Sequence, residues 1–267
     1  MRFGPAGYPP GTKTPKDGLD TVRSLGLDAL EIEFVRGARI SEEKARQVGM
    51  MAEERDIRLS AHAPYFISFN SENQETRDKS VQWVMDTVRA AHTMGAYLIV
   101  IHAASYGKAP EKATDSVIEG LLRCREIMDD EGIDDVILGI ETMGKKGQWG
   151  TLKEIGRVME DVPGAHPVLD VAHVHAREGG SLSSEKAMSD ITDEFFSLSG
   201  DIPHFHISCI RYGDKGEISH LPLEARDPDM QHLADVLRDC NRDCNFICES
   251  PLQERDAVVF RDMFARR

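Results

Sequence analysis

Tyr97-Leu98-Ile99-Val100-Ile101-His102 and Val136-Ile137-Leu138-Gly139-Ile140-Glu141 are two copies of one unit, separated by a polar loop and a long amphipathic segment. Each is an apolar run that ends on a residue able to bind a metal. Runs that are apolar almost throughout are what strands covered on both faces require. The unit recurs in both directions. Upstream lie Arg2-Phe3-Gly4-Pro5-Ala6, the run Leu30–Val35 and the run Ile57–His62; downstream come His166–Asp170, His204–Ser208 and Phe246–Ser250.

Between these runs the pattern turns helical. Ser41-Glu42-Glu43-Lys44 sets an N-cap residue and first-turn acids ahead of a segment that reaches Arg55. Val81, Val84, Val88 and Ala91 share one face of a segment from Glu75 to Met94. A helix from Pro110 to Asp130 opens with proline, where a missing N–H costs nothing. Others are expected over Leu152–Asp161, Glu185–Leu198, Asp227–Asp239 and Gln253–Ala265. This alternation predicts parallel crossover units, and eight strands close a (β/α)8 TIM barrel whose chemistry sits at the C-terminal face of the strands. No linker divides the 267 residues, so residues 1–267 form one barrel domain.

Five cysteines without Cys-x-x-Cys spacing suit reduced, buried thiols. No apolar run is long enough to span a bilayer, and Met1–Pro10 lacks a signal-peptide core, so a cytoplasmic protein is expected. The formal net charge of -14 counts against a generic nucleic-acid binder. It excludes nothing, because a metal cluster inverts the electrostatics around itself.

The strand ends carry His62, His102, Glu141, Asp170 with His173 three residues on, His206 and Glu249. Any one has an innocent reading as a paired or surface residue. Six at equivalent positions around one mouth would repel or bury unpaired charge unless a cation joins them. Imidazole with carboxylate suits zinc, with manganese or iron as alternatives. His92, His166 and His232 fall outside this pattern, and His175 reads as a loop residue. His204 shares the strand face of His206 and should line the barrel interior.

These residues sit in motifs that resemble the endonuclease IV family of apurinic/apyrimidinic endonucleases. Ala61-His62-Ala63-Pro64-Tyr65, Ile101-His102, Ile140-Glu141-Thr142, Leu169-Asp170-Val171-Ala172-His173, His206 and Cys248-Glu249-Ser250-Pro251 follow the family's order from the second strand onward. The resemblance implies a zinc-dependent phosphodiesterase that cuts DNA 5′ to abasic sites, with two to three zinc ions per chain and a monomeric state. It places His62, His102 and Glu141 on the first zinc. Glu141 bridges to a second, held also by Asp170, His206 and Glu249. His173 and His220 belong to a third. Glu141 and Glu249 would also orient the nucleophile, while Tyr65 probes the DNA.

The chain departs from the family at the third site. An Asp-x-His pair would put Asp where Ile218 stands, so Glu217 is the substitute ligand beside His220. The DNA-probing loop after the second strand is represented by Val35-Arg36-Gly37-Ala38-Arg39, whose Arg36 and Arg39 could meet phosphates, as could Lys108, Lys145, Lys146, Arg177 and Arg211 elsewhere on the same face. The competing reading is a sugar isomerase or epimerase with one metal, for which Glu141, Asp170, His206 and Glu249 alone suffice. Glu31 and Glu33 would then serve a hydroxyl-rich substrate or support the ligands.

Overall fold

A computed structural model describes residues 1–265. Eight parallel strands follow one another around a barrel: β1 (Arg2–Pro5), β2 (Ala29–Glu33), β3 (Arg58–His62), β4 (Leu98–Ile101), β5 (Ile137–Glu141), β6 (Ala165–Asp170), β7 (His204–Ile207) and β8 (Asn245–Cys248). Continuous ladders link β2 through β8 and β8 to β1. The seam between β1 and β2 is closed by one bridge, Ala6 to Glu31, with Gly7 N–H donating to the Glu31 carbonyl at 2.9 Å. Gly4 permits this approach, since a Cβ there would stand 1.8 Å from the Ala29 carbonyl oxygen.

The outer helices are α1 (Pro15–Ser24), α2 (Glu42–Glu53), α3 (Gln74–Met94), α4 (Ala113–Asp130), α5 (Leu152–Asp161), α6 (Val171–Arg177), α7 (Glu185–Leu198), α8 (Met230–Leu237) and α9 (Glu254–Met263). Ser41 caps α2 as expected, accepting from Lys44 N–H. Four features differ from the sequence reading, the first being α6, a short helix directly after β6 where a loop was expected. α1 is an additional crossover helix, capped by Thr14. α8 begins only at Met230, where the Asp229 carboxylate accepts from Gln231 N–H. The segment after β7 is an antiparallel hairpin, Cys209–Gly213 with Gly216–Leu221, rather than a plain loop. Among the described residues no helix is long and apolar enough to cross a membrane.

Strand parity positions the site. Leu30, Ile32, Leu59, Ala61, Ile99, Ile101, Leu138, Ile140, Phe205 and Phe246 belong to the main core beneath the helices. The alternate positions point inward. Low in the barrel these include Leu98, Val100 and Val168, a separate small apolar cluster. Higher up, the same parity delivers Glu33, His62, His102, Glu141, Asp170, His206 and Glu249 to the mouth.

Candidate metal centre

The ends of β3, β4 and β5 converge on one carboxylate. His62 Nε2 lies 3.3 Å and His102 Nε2 2.5 Å from Glu141 Oε2. The other His62 nitrogen, Nδ1, is 2.7 Å from the Ala63 carbonyl. A carbonyl only accepts, so Nδ1 donates to it and Nε2 is the nitrogen left to face the site.

Glu141 turns its second oxygen toward the next group. Oε1 is 3.3 Å from His206 Nδ1, which stands 3.2 Å from Glu249 Oε1. Asp170 completes this set, the ligand atoms of all four residues lying within 4.8 Å of one another. Asp170 Oδ1 caps α6 by accepting from His173 N–H at 2.7 Å. Its Oδ2 is buried, with no hydrogen-bond partner among the described residues. A buried carboxylate oxygen left unpaired calls for a cation.

The cap also aims the third group. His173 Nδ1 is tied to the Thr142 carbonyl at 2.9 Å, while Nε2 faces His220 Nε2 at 3.2 Å and Glu217 Oε2 at 3.5 Å. His220 Nδ1 rests 3.1 Å from Ser208 Oγ. Asp170 comes within reach of this group too, which the sequence reading had not included.

Burial opposes charge on Glu141, but the imidazoles of His102, His206 and His173 outweigh it and hold the carboxyl well below its ordinary range. His62 and His173 are also penalised by burial, yet the surrounding carboxylates push both up to about 10. Burial, helped by Glu141 and Asp170, raises Glu249 to about 8 against the pull of His206. Protons on His62, His173 and Glu249 thus offset the charge of the buried carboxylates. Two donors on one tetrahedral zinc, each roughly 2.0–2.1 Å away, stand about 3.3 Å apart. Several spacings found here match that value, so the donor set fits divalent metal.

A cavity of about 750 Å³ opens above these groups, lined in part by Glu33, Tyr65, His102, His173, His220 and Glu249. The Tyr65 ring is half exposed and packs 4.8 Å from the His62 ring and 5.1 Å from that of His102. Its hydroxyl donates to Glu33 Oε2 at 3.1 Å. Arg36 and Arg39 are exposed on the loop after β2.

Two other residues have structural work. Arg177 donates to the carbonyls of Lys145 and Gln148 at 2.6 and 2.9 Å and to the Tyr106 hydroxyl at 3.0 Å, clamping the loop after β5 instead of facing solvent. His175 lies in α6, not a loop, with Nε2 2.7 Å from Asp227 Oδ1 and Nδ1 accepting from Leu182 N–H.

Residues 19–263 match the family described as xylose isomerase-like TIM barrel. The chain belongs to that family. An uncharacterized protein of Methanocaldococcus jannaschii is 31% identical to it, over 96% of this chain and 94% of the relative. A probable endonuclease 4 of Streptomyces avermitilis is 26% identical over 69% of this chain and 62% of its own. Among solved structures, endonuclease IV from Thermus thermophilus aligns with a TM-score of 0.76 at 21% identity, covering 99% of each chain. A D-tagatose 3-epimerase-like protein aligns at 0.72 with 17% identity, covering 99% of this chain and 96% of its own. At such identities both show a shared barrel, and the family's fold alone does not choose between nuclease and epimerase chemistry.

Proposed function

We propose that this barrel is a zinc-dependent endonuclease that hydrolyses the DNA phosphodiester 5′ to abasic sites, a step of base-excision repair. The observation behind this reading is a surplus of ligands. His62, His102, His173 and His220 form further groups beside the Glu141, Asp170, His206 and Glu249 set, and one metal would need only that set. Two to three zinc ions per chain are proposed, with manganese as the alternative, and the enzyme is proposed to act as a monomer.

Zinc held in these groups would supply a nucleophile from water near neutral pH and neutralise charge on the phosphate. Glu141 joins the first two groups by giving one oxygen to each. Glu249 stands beside His206 at the mouth, where with Glu141 it would orient the attacking water. Tyr65 offers its ring to the unpaired nucleotide, and Arg36 and Arg39 would meet phosphates of the duplex.

The second reading is a one-metal sugar isomerase or epimerase. It draws on Glu33, whose carboxylate lines the same cavity with Tyr65 and could bind hydroxyl groups. Elemental analysis of protein purified without added metal, paired with an abasic-duplex cleavage assay on the same sample, separates the two. Two to three zinc ions with incision 5′ to the lesion are expected. One metal per chain and no incision after zinc or manganese is restored would refute the nuclease reading and direct the search to sugars.

A further inference from the structure

Below the mouth the barrel interior holds a polar layer that no ligand role uses. Glu31, on the inward parity of β2, is fully buried. Its Oε1 lies 3.0 Å from His206 Nε2 and its Oε2 3.2 Å from His204 Nε2, ion-pair distances at which neither imidazole nitrogen completes a hydrogen bond. Ser60 Oγ donates to Oε2 at 2.7 Å. His204 is set from the other side, with the Tyr97 hydroxyl 2.7 Å and Asn245 Nδ2 3.5 Å from its Nδ1. The Asn245 NH2 can only donate and the Tyr97 hydroxyl can also donate, so Nδ1 is the acceptor and the His204 proton sits on Nε2, facing Glu31. An anionic Glu31, bonded by Ser60 and flanked by both imidazole Nε2 atoms, favours a proton on each of those nitrogens.

His62, His173, His206 and His220 follow a common plan, one nitrogen turned into the site and the other set against a polar partner behind it. The partner is a backbone carbonyl for His62 and His173 and a serine hydroxyl for His220. His206 is backed by a full carboxylate. A carboxylate behind a ligating imidazole fixes the tautomer and makes the free nitrogen a stronger donor to a cation. His206 also touches both Glu141 and Glu249, where such a gain would matter most.

We infer that Glu31 is a positioning residue. It holds the His206 proton on Nε2 so that the Nδ1 lone pair faces Glu141 and Glu249, with His204 and Tyr97 bracing it from below. This rests on the metal-centre reading given above.

The test is zinc affinity by chelator competition, together with ¹⁵N NMR of zinc-loaded protein labelled at histidine. Wild type should bind zinc with the His206 proton on Nε2. Glu31→Gln keeps the shape but loses the charge, and should weaken one zinc by about 10–100-fold. His204→Gln, whose amide still donates to Glu31, should keep every zinc at near wild-type affinity.

Unchanged affinity in folded Glu31→Gln would overturn the inference, as would a His206 proton on Nδ1. Loss of one zinc in His204→Gln would overturn it too, because that result puts a cation among Glu31, His204 and His206. If Glu31→Gln does not fold, the wild-type tautomer decides. A wild-type protein that binds no zinc refutes the metal reading itself and takes this inference with it.

Discussion

Gly144→Ala should strip one zinc from the centre and leave the others in place. Gly144 lies just past β5, and a Cβ there would stand 2.8 Å from both His173 Cδ2 and Glu217 Cβ, with Glu217 Oε2 at 3.0 Å. Ordinary contacts begin near 3.4 Å, so each neighbour must retreat by about 0.6 Å. Ligand distances in a metal site hold to within about 0.2 Å. Glu217 can swing its carboxylate aside but not its Cβ, the His173 ring is pinned by its bond to Thr142, and the His173 backbone is fixed by the Asp170 cap. The third group therefore bears the strain. Overpacking of this kind costs about 1–3 kcal/mol. For a chain of this size that lowers the melting temperature by roughly 2–10 °C, well short of unfolding. Elemental analysis after dialysis against buffered zinc, with a thermal melt on the same sample, reads both effects. A variant with the wild-type zinc count would refute the argument that Glu217, His173 and His220 share a metal.

Other perturbations probe the remaining parts. At pH 7 the metal-free protein should carry protons on His62 and His173, raised to about 10, and on most Glu249 carboxyls, raised to about 8. Calorimetry in buffers of different ionisation enthalpy should therefore record at least about three protons released as zinc fills all the groups, and no release would refute this charge pattern. The sign for stability follows: the raised histidines help the metal-free fold fully below pH 6.5 and lose that effect as pH climbs through 10, so it should melt lower at pH 10 than at pH 7. His62→Ala should lose one zinc and abolish incision, whereas a one-metal isomerase would keep its metal and its rate. Tyr65→Ala should weaken binding to an abasic duplex by about 5–150-fold, the equivalent of about 1–3 kcal/mol for aromatic stacking; equal binding would remove Tyr65 from the DNA contacts. Arg177→Met should destabilise the protein by about 1–3 kcal/mol in chemical denaturation, because the part-buried carbonyls of Met143 and Gln148 lose their charged donor; an unchanged midpoint would refute the clamp.

Most of the barrel was legible because its strands are doubly covered and so read as short apolar runs. The α1 helix was not. Its buried positions are Gly18, Leu19 and Val22, too few to make a stripe, and Gly18 is there because a side chain would strike the Tyr8 ring. The hairpin after β7 hid for a related reason. Its second strand exposes Ile218, reversing the usual apolar-in pattern, and its turn relies on Gly216 at a φ of +89°.

The candidate ligands at the strand ends were legible from position alone, since a barrel fixes where those ends point. The layer beneath them was legible in part, His204 as an interior residue and Glu31 as a support for the ligands, but not Ser60 or Asn245. Reading each strand at period two, instead of only its last residue, marks Glu31, Ser60, His204 and Asn245 as polar side chains on the inward parity, where apolar packing would otherwise be expected. The third group needed more than parity. Glu217 and His220 are three apart, so on a regular strand they would face opposite sides. The register slips between Arg211 and Tyr212, pairing Arg211 with Ser219 and Tyr212 with Glu217, which leaves Ile218 as the bulged residue. One extra residue restores the parity. Glu217 and His220 then share a face, and both reach His173. The bulge turns Ile218, at the expected Asp position, out to solvent and brings Glu217, one position earlier, to within 3.5 Å of His173 Nε2.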